Sequence, residues 1–531
     1  MLAQTAEPIV TPSIDWAALA PILSLVGAAC VLLVVDALSL RKPRAGGYAF
    51  FTVLAAVASI ITAVPLWREV TDPDRGPFTI LQGALGGALG IDGFSVFFMF
   101  AMAASVILAA LLADGYLRRE GLDGPELYAL VLLSASGGMV MASANDLIVT
   151  FLGLEILSIA AYVLSAMHLR RIQSQEAGIK YFVLGAFSSA FFLYGIALVY
   201  GATGSTKLAG IAGFQLPIPA TEAFGASVDP SQLLSGTIHT PPLLLAGIGL
   251  LLVGFGFKIA AVPFHTWTPD VYQGAPSPAV VYMASGVKAA GFAGLLRVLT
   301  LGFGRFVDDW QPIIYGLAVA TLLVGSILAV IQTDVKRLLA YSSISHAGFI
   351  LVGVQAASER GVSGALFYLA AYLFMVAGSF GVITVLTRRD EQGAGLDDLR
   401  GLARRRPVLA FTFTVFLLAQ AGVPLTSGFV AKFEVLAAAV EANSYYLAVV
   451  AMVSAVIAAY LYLKIVVAMY MSDPEGDEVV DTRRVPFGAK LALGVAAAAT
   501  VVFGLLPGLL DDLSNDAVLP ATVDAAEQPA P

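Results

Sequence analysis

Runs of about 20 apolar residues recur from one end of this chain to the other, and no other feature narrows its fold so far. A helix of roughly that length crosses the ~30 Å hydrocarbon core of a bilayer. Inside that core each backbone N–H and C=O must be satisfied by the segment itself or by its neighbours. The runs are continuously apolar, whereas a transmembrane β-barrel alternates every second residue. Only 12% of the 531 residues are charged, against 58% hydrophobic, about half the charged share of a soluble chain. The chain therefore reads as an all-α polytopic membrane protein. Fourteen spans fit the runs, near 17–38, 48–66, 91–113, 126–143, 146–167, 178–201, 243–262, 277–303, 311–331, 338–356, 362–386, 407–431, 444–471 and 487–509. No separate soluble domain is visible, and the longest connection, near 202–242, is rich in Gly, Pro, Ser and Thr.

Loop charges test that count. With the N-terminus outside and the loops numbered alternately, the inner loops hold 18 Lys and Arg and the outer loops hold 5. The outer five are Arg68, Arg75, Lys207, Arg305 and Arg360. A miscounted span would scramble the asymmetry, so both termini are expected on the outer side. The acidic tail after residue 510, without Lys or Arg, fits that side.

Several chemistries are poorly supplied. A lone cysteine, Cys30, excludes a disulfide framework and a cysteine-ligated cluster within the chain. His168, His239, His265 and His346 show no metal-ligand spacing, so no metal site is expected. GATGSTKL at 201–208 lacks the Gly-Lys pair of a phosphate-binding loop. The start, MLAQTAEPIVTPSIDW, has no basic region and does not read as a cleaved signal peptide. No feature points to nucleic acid.

Six basic residues remain inside the spans: Lys258, Lys288, Arg297, Lys432, Lys464 and Lys490. Arg297, Lys464 and Lys490 lie toward span ends, where long side chains can snorkel to the interface. Lys258, Lys288 and Lys432 lie deeper, as does Glu155 in FLGLEILSIAAYVL. An ionisable group at mid-helix costs about 2.5–3.5 kcal/mol on insertion scales, so four of them favour function over static packing. A lysine whose carboxylate partner approaches and withdraws can take up and release a proton. Asp92 and Asp146 fall at span ends and read as interfacial.

Two deep lysines sit beside helix breakers. GFGFKIAAVPFHTWTPDVYQGAP at 254–276 places Pro263, His265 and Pro269 after Lys258, and AQAGVPLTSGFVAKFE at 419–434 places Pro424 and Gly428 before Lys432. Broken helices at matching places in two halves mark a transporter built from repeats. Spans 4–8 and 9–13 form two sets of five with the break in the fourth span of each, and the odd number sets them in opposite orientation. His265 and His346 suit proton relay, because histidine titrates near neutral pH. The chain divides into spans 1–3 (1–125), a first repeat (126–303), a second repeat (304–471), and span 14 with the tail (472–531).

GLEILSIAAYVL at 153–164, KIAAVPFHTWTPDVYQGAPSP at 258–278, VKRLLAYSSISHAGF at 335–349 and GVPLTSGFVAKF at 422–433 resemble the subunit N family of bacterial NADH–quinone oxidoreductase, respiratory complex I. The resemblance covers about 90–505. It implies an antiporter-like fold with 14 transmembrane helices, two inverted five-helix repeats and broken helices 7 and 12. It also implies roles: Glu155 modulating Lys258, Lys288 linking two half-channels, Lys432 exchanging protons with the outer side, and His265 and His346 on the hydrated axis. TPDVY at 268–272 stands where the related subunits L and M typically carry LPDAH, and Lys432 stands where subunit M typically has glutamate. The resemblance further implies a translocase subunit in a bacterial plasma (inner) membrane. It would bind no cofactor, with FMN, iron–sulfur clusters and a quinone in other subunits. Its partners would be subunit M, the small subunits K, J and A, the lipid bilayer and protons. A multi-subunit sodium–proton antiporter component and a non-conducting scaffold are the rival readings.

Overall fold

A computed structural model describes residues 14–39, 46–72, 81–82, 87–214, 241–391, 395–473 and 484–519. Arg41, Lys42, Arg44, Arg75, His239, Arg483 and the last part of the acidic tail lie outside the described residues. Among the described residues, thirteen helices are long and apolar enough to cross a membrane. They are span 1 (Trp16–Leu38), 2 (Gly47–Val70), 3 (Gly93–Glu120), 4 (Glu126–Ser143), 5 (Leu147–Ala166), 6 (Ile172–Thr203), 7 (Pro242–Ile259), 8 (Ser277–Gly302), 9 (Gly304–Val330), 10 (Val335–Gln355), 11 (Glu359–Leu386), 13 (Tyr445–Met471) and 14 (Phe487–Leu505). The expected span 12 is a pair of shorter helices, Pro407–Ala421 and Ser427–Glu441. Span 7 likewise continues, after a gap, as Trp267–Gly274. Outside the spans, Leu81 and Gln82 pair antiparallel with Ile91 and Gly90.

The helices start where the sequence supplies caps. Asp92, Asp146, Asp334 and Ser358 each accept a backbone N–H in the first turn of spans 3, 5, 10 and 11, satisfying donors that a helix leaves open. Packing then sorts the spans by depth. Span 8 is buried on every side and span 10 nearly so, whereas spans 1, 2, 6, 9, 13 and 14 leave most of their residues short of full burial. Their exposed residues are largely apolar, including Phe50, Ile61, Phe187 and Val456, as a lipid-facing or partner-facing wall requires. Close approach in the centre depends on small residues. A Cβ on Gly137 would lie 2.6 Å from Leu157 N, and one on Gly153 would lie 2.7 Å from Met141 N, so spans 4 and 5 touch backbone to backbone.

One charge departs from expectation. Arg297 does not snorkel: it is fully buried, donating to Asp92 Oδ2 at 2.9 Å, Ala144 O at 2.6 Å and Asn145 Oδ1 at 2.8 Å. Asp92, which caps the start of span 3, is thereby its ion-pair partner. Lys490 is exposed near the start of span 14, and Lys464 reaches Val330 O and Gln332 O at 3.4 Å where span 9 ends.

Candidate functional site: a buried lysine axis

Both helix breaks end the same way. Span 7 stops at Ala260, whose φ is +62°, with Ala261 N–H bonded to Gly256 O at 2.8 Å. The first half of span 12 stops at Gly422, φ +90°, with Val423 N–H bonded to Leu418 O at 3.0 Å. A left-handed residue followed by this bond across five positions is the Schellman ending of a helix. Each half-helix therefore presents its negative, carbonyl end inside the protein.

A lysine sits at each of these ends. Lys258 lies in the last turn of span 7, and its Nζ donates to Ser158 Oγ at 2.8 Å and stands 5.7 Å from the centre of the Tyr181 ring. Lys432, in the second half of span 12, reaches back to the first half, donating to Gln420 O at 2.9 Å and Ala421 O at 2.8 Å. These carbonyls have no partner within their own helix, so an ammonium ion is held where the backbone supplies partial negative charge. Lys288 follows a π-helical turn, Met283–Val287, and donates to Ser343 O at 2.6 Å. Such turns displace the backbone register and often accompany function. All three lysines are buried.

His346 links two of them through neutral groups. Its Nδ1 meets Tyr368 OH at 2.6 Å and its Nε2 meets Tyr462 OH at 3.0 Å. Tyr462 OH meets Ser342 Oγ at 2.5 Å, and Ser342 Oγ lies 3.5 Å from Gln420 Oε1, on the residue whose carbonyl holds Lys432. Ser343, next to Ser342, holds Lys288. Lys288, His346 and Lys432 thus share one buried polar chain. Lys258 belongs to a second group and approaches the first only by packing, its Cγ 3.1 Å from a Cβ built on Gly291, one turn beyond Lys288.

Glu155 and Lys258 form no salt bridge, although both are among the described residues. Glu155 is half-buried and accepts from Ser189 Oγ, while Ser158, one turn along the same helix, contacts Lys258. Glu155 shares its face of span 5 with exposed Leu152, Ile156 and Ile159. His265 is half-buried in the break of span 7, and its ring joins neither group. Ser158, Gln420, Tyr462 and Tyr368 are connecting residues beyond those that stand out in the sequence. Ser158 and Gln420 carried a signal: a polar residue three positions after Glu155, and one just ahead of the second break.

A cavity of about 320 Å³ opens beside the Lys258 group, lined by Lys180, Asp270, Lys336 and Glu391 among others. Asp270 accepts from Lys180 Nζ at 2.7 Å and from Arg337 at 2.6 Å. Tyr181, adjacent to Lys180 in sequence, is the ring against Lys258. The second break depends on a glycine. A Cβ on Gly428 would meet Ala419 O at 1.9 Å, so the two half-helices of span 12 cross in contact. Gly428→Val is expected to force them apart at a cost of about 1–3 kcal/mol, seen as a lower yield of assembled protein and a lower melting temperature.

The transmembrane family model described as NADH:quinone oxidoreductase/Mrp antiporter matches residues 144–458. NADH-quinone oxidoreductase subunit N of Trichlorobacter lovleyi is 39% identical over 497 residues, covering 94% of this chain and 95% of that protein. The chain belongs to the NADH–quinone oxidoreductase subunit N family. Respiratory complex I from Thermus thermophilus with bound aureothin contains a chain that resembles this subunit N family member with a TM-score of 0.73 and 32% identity, covering 93% of this chain and 99% of that one. A chain of the Mrp complex from Dietzia sp. shares the fold at a TM-score of 0.77 and 21% identity, covering 94% of this chain and 96% of that one. The matched segment contains all six proposed site residues.

Proposed function

We infer that this chain is a proton-translocating membrane subunit of an NADH–quinone oxidoreductase, a translocase whose redox chemistry lies in other subunits. The observation that carries the reading is the pairing of two half-helix carbonyl ends with two buried lysines, Lys258 and Lys432. Lys288 and His346 lie between them, and Glu155 tunes Lys258 through Ser158 and the shared helix face. A lysine buried in a low-dielectric site releases its proton far more readily than one in water, and each break gives water a polar route to it. The cavity at Lys180 and Asp270 is the entry from the arginine-rich face, with Tyr181 between it and Lys258. His265 sits in the break and serves its hydration more than relay.

The two five-span repeats run over 126–303 and 304–471. Two observations support them: spans 4 and 5 form a tightly packed pair, as do spans 9 and 10, and the two breaks share one ending. Spans 1–3 occupy 1–125, and span 14 with the tail follows from 472. With fourteen spans, both termini lie outside a bacterial plasma membrane. The exposed apolar faces of spans 5 and 6 leave room for subunit M and the small subunits K, J and A, and FMN, iron–sulfur clusters and quinone belong to still other subunits.

The 39% identity along nearly the whole chain favours this reading over sodium–proton exchange, since the Mrp likeness is one of fold. Affinity purification through a tag on this chain is expected to bring down a complex that oxidises NADH with quinone. Recovery of a complex that instead exchanges sodium for protons without NADH would refute it.

A further inference from the structure

The chain of neutral groups that leaves His346 ends on an amide, and counting protons fixes its hydrogen-bond directions. Gln420 lies in the last turn of the first half of span 12, two residues before the left-handed Gly422, and it is buried. Its Nε2 donates to Ser379 Oγ at 2.6 Å and to Met375 O at 3.3 Å, both on span 11. A backbone carbonyl can only accept, so the amide atom facing Met375 O is the nitrogen, and these two bonds use both of its protons. Oε1 therefore faces Ser342 Oγ, 3.5 Å away, and can only accept. With the single Ser342 proton given to Gln420, Tyr462 OH donates to Ser342 Oγ, His346 Nε2–H to Tyr462, and Tyr368 OH to His346 Nδ1. Every donor in the chain points toward Gln420 Oε1.

We propose that Gln420 insulates Lys432 from the Lys288–His346 group, so that a proton crosses only when the amide leaves this place. A carboxamide neither releases nor takes up a proton near neutral pH, unlike the His, Tyr, Lys and carboxyl groups that transfer protons. A proton arriving along the chain stops at Ser342. Lys432 Nζ lies 2.9 Å from the backbone carbonyl of the same Gln420, so the two sides of the barrier meet on one residue. That residue also sits at the seam of the break: Ala419 O, next to it in sequence, is the atom a Cβ on Gly428 would meet. Movement of the half-helices against each other would carry the amide with it. A pump needs such a barrier, because an unbroken relay would let protons run back down the membrane potential. The inference rests on the reading of the buried lysines as the proton path.

The test uses the purified complex in sealed vesicles, first without NADH under an imposed pH gradient. Gln420→Glu keeps the shape and adds a titratable head, which passes its proton toward Lys432 Nζ and is reloaded from Ser342. A positioned proton-transfer group speeds transfer by about 10²–10⁴-fold, so passive proton entry per complex is expected to rise at least about tenfold. With NADH, the ratio of protons pumped to NADH oxidised is expected to fall. Gln420→Met, of similar length and without a titratable group, is expected to stay as tight as the parent. Adding Lys432→Met to Gln420→Glu is expected to abolish the leak. If Gln420→Glu does not assemble, Gln420→His carries the same expectation. A titratable variant as tight as the parent, or an equal leak in Gln420→Met, would overturn the insulation. Lys432→Met alone separates this inference from the reading beneath it. Parent-like pumping there would sink the lysine path, whereas lost pumping there beside a tight Gln420→Glu sinks only the insulation.

Discussion

Replacing Lys258 with Met is expected to leave an assembled complex whose NADH-driven proton pumping is at least about tenfold lower. A factor of ten corresponds to about 1.4 kcal/mol on a barrier, a small demand on a step that loses its proton-carrying group. Assembly survives for a physical reason. Lys258 contacts a neutral partner, Ser158, whose hydroxyl also donates to Leu154 O, so the substitution strands no opposite charge. It removes an ammonium group whose placement at mid-membrane costs about 2.5–3.5 kcal/mol, and Met fills nearly the same volume. The melting temperature should therefore stay level or rise while pumping falls. Pumping of reconstituted vesicles, measured beside the melting curve of the same preparation, checks both halves.

Glu391→Ala is expected to do the reverse, reducing stability before activity. Glu391 lies in the connection between spans 11 and 12, and its buried carboxylate gathers three elements. It accepts from Ser277 N at 2.8 Å and Ser277 Oγ at 2.6 Å, at the start of span 8, and from Lys336 Nζ at 3.2 Å on span 10. Lys336 also donates to Ala275 O at 2.9 Å. The side chains of Lys336 and Glu391 are 2% and 1% exposed. Removing the acid would leave the lysine buried without its counter-charge, a loss of about 3–5 kcal/mol. The pH dependence has a definite sign. Burial pushes the Glu391 carboxyl up, but the Lys336 charge and the Ser277 donors outweigh it and hold it at about 2. A carboxyl depressed by folding stabilises above its unfolded value, near 4.3, and that stabilisation is lost as pH falls toward 2. The parent protein should lose stability across that window, and Glu391→Gln should lose less there. Equal slopes in the two would count against the clamp.

The fold was largely legible because hydrocarbon leaves few options. Continuous apolar runs return the spans to within a few residues at most ends. The exceptions are helices that run past their apolar stretch, as span 6 does from Ile172 through Lys180, supported by Glu176 and Asp270. The deep lysines and both breaks stood out for the same reason: a charge or a proline is conspicuous among Leu, Val and Ala. The connecting groups were not conspicuous. Tyr462 reaches His346 across 116 positions of sequence, and Arg297 reaches Asp92 across 205. A tyrosine in an apolar run reads as packing until its hydroxyl partner is known, and Arg297 reads as snorkelling until the loop before span 3 is seen to fold over it. Glu155 was legible as a deep acid, but its direction on the helix, toward Ser189 and not onto Lys258, was not.

The central claim is that Lys258 works by gaining and losing a proton, not by holding a charge in place. Lys258→Arg separates the two, because arginine keeps the charge and does not deprotonate in proteins. The measurement is the ratio of protons pumped to NADH oxidised by the purified complex in sealed vesicles. The account predicts that Lys258→Arg falls with Lys258→Met, well below the parent ratio, with assembly intact. A parent-like ratio in Lys258→Arg would contradict it and leave Lys258 as a packing charge.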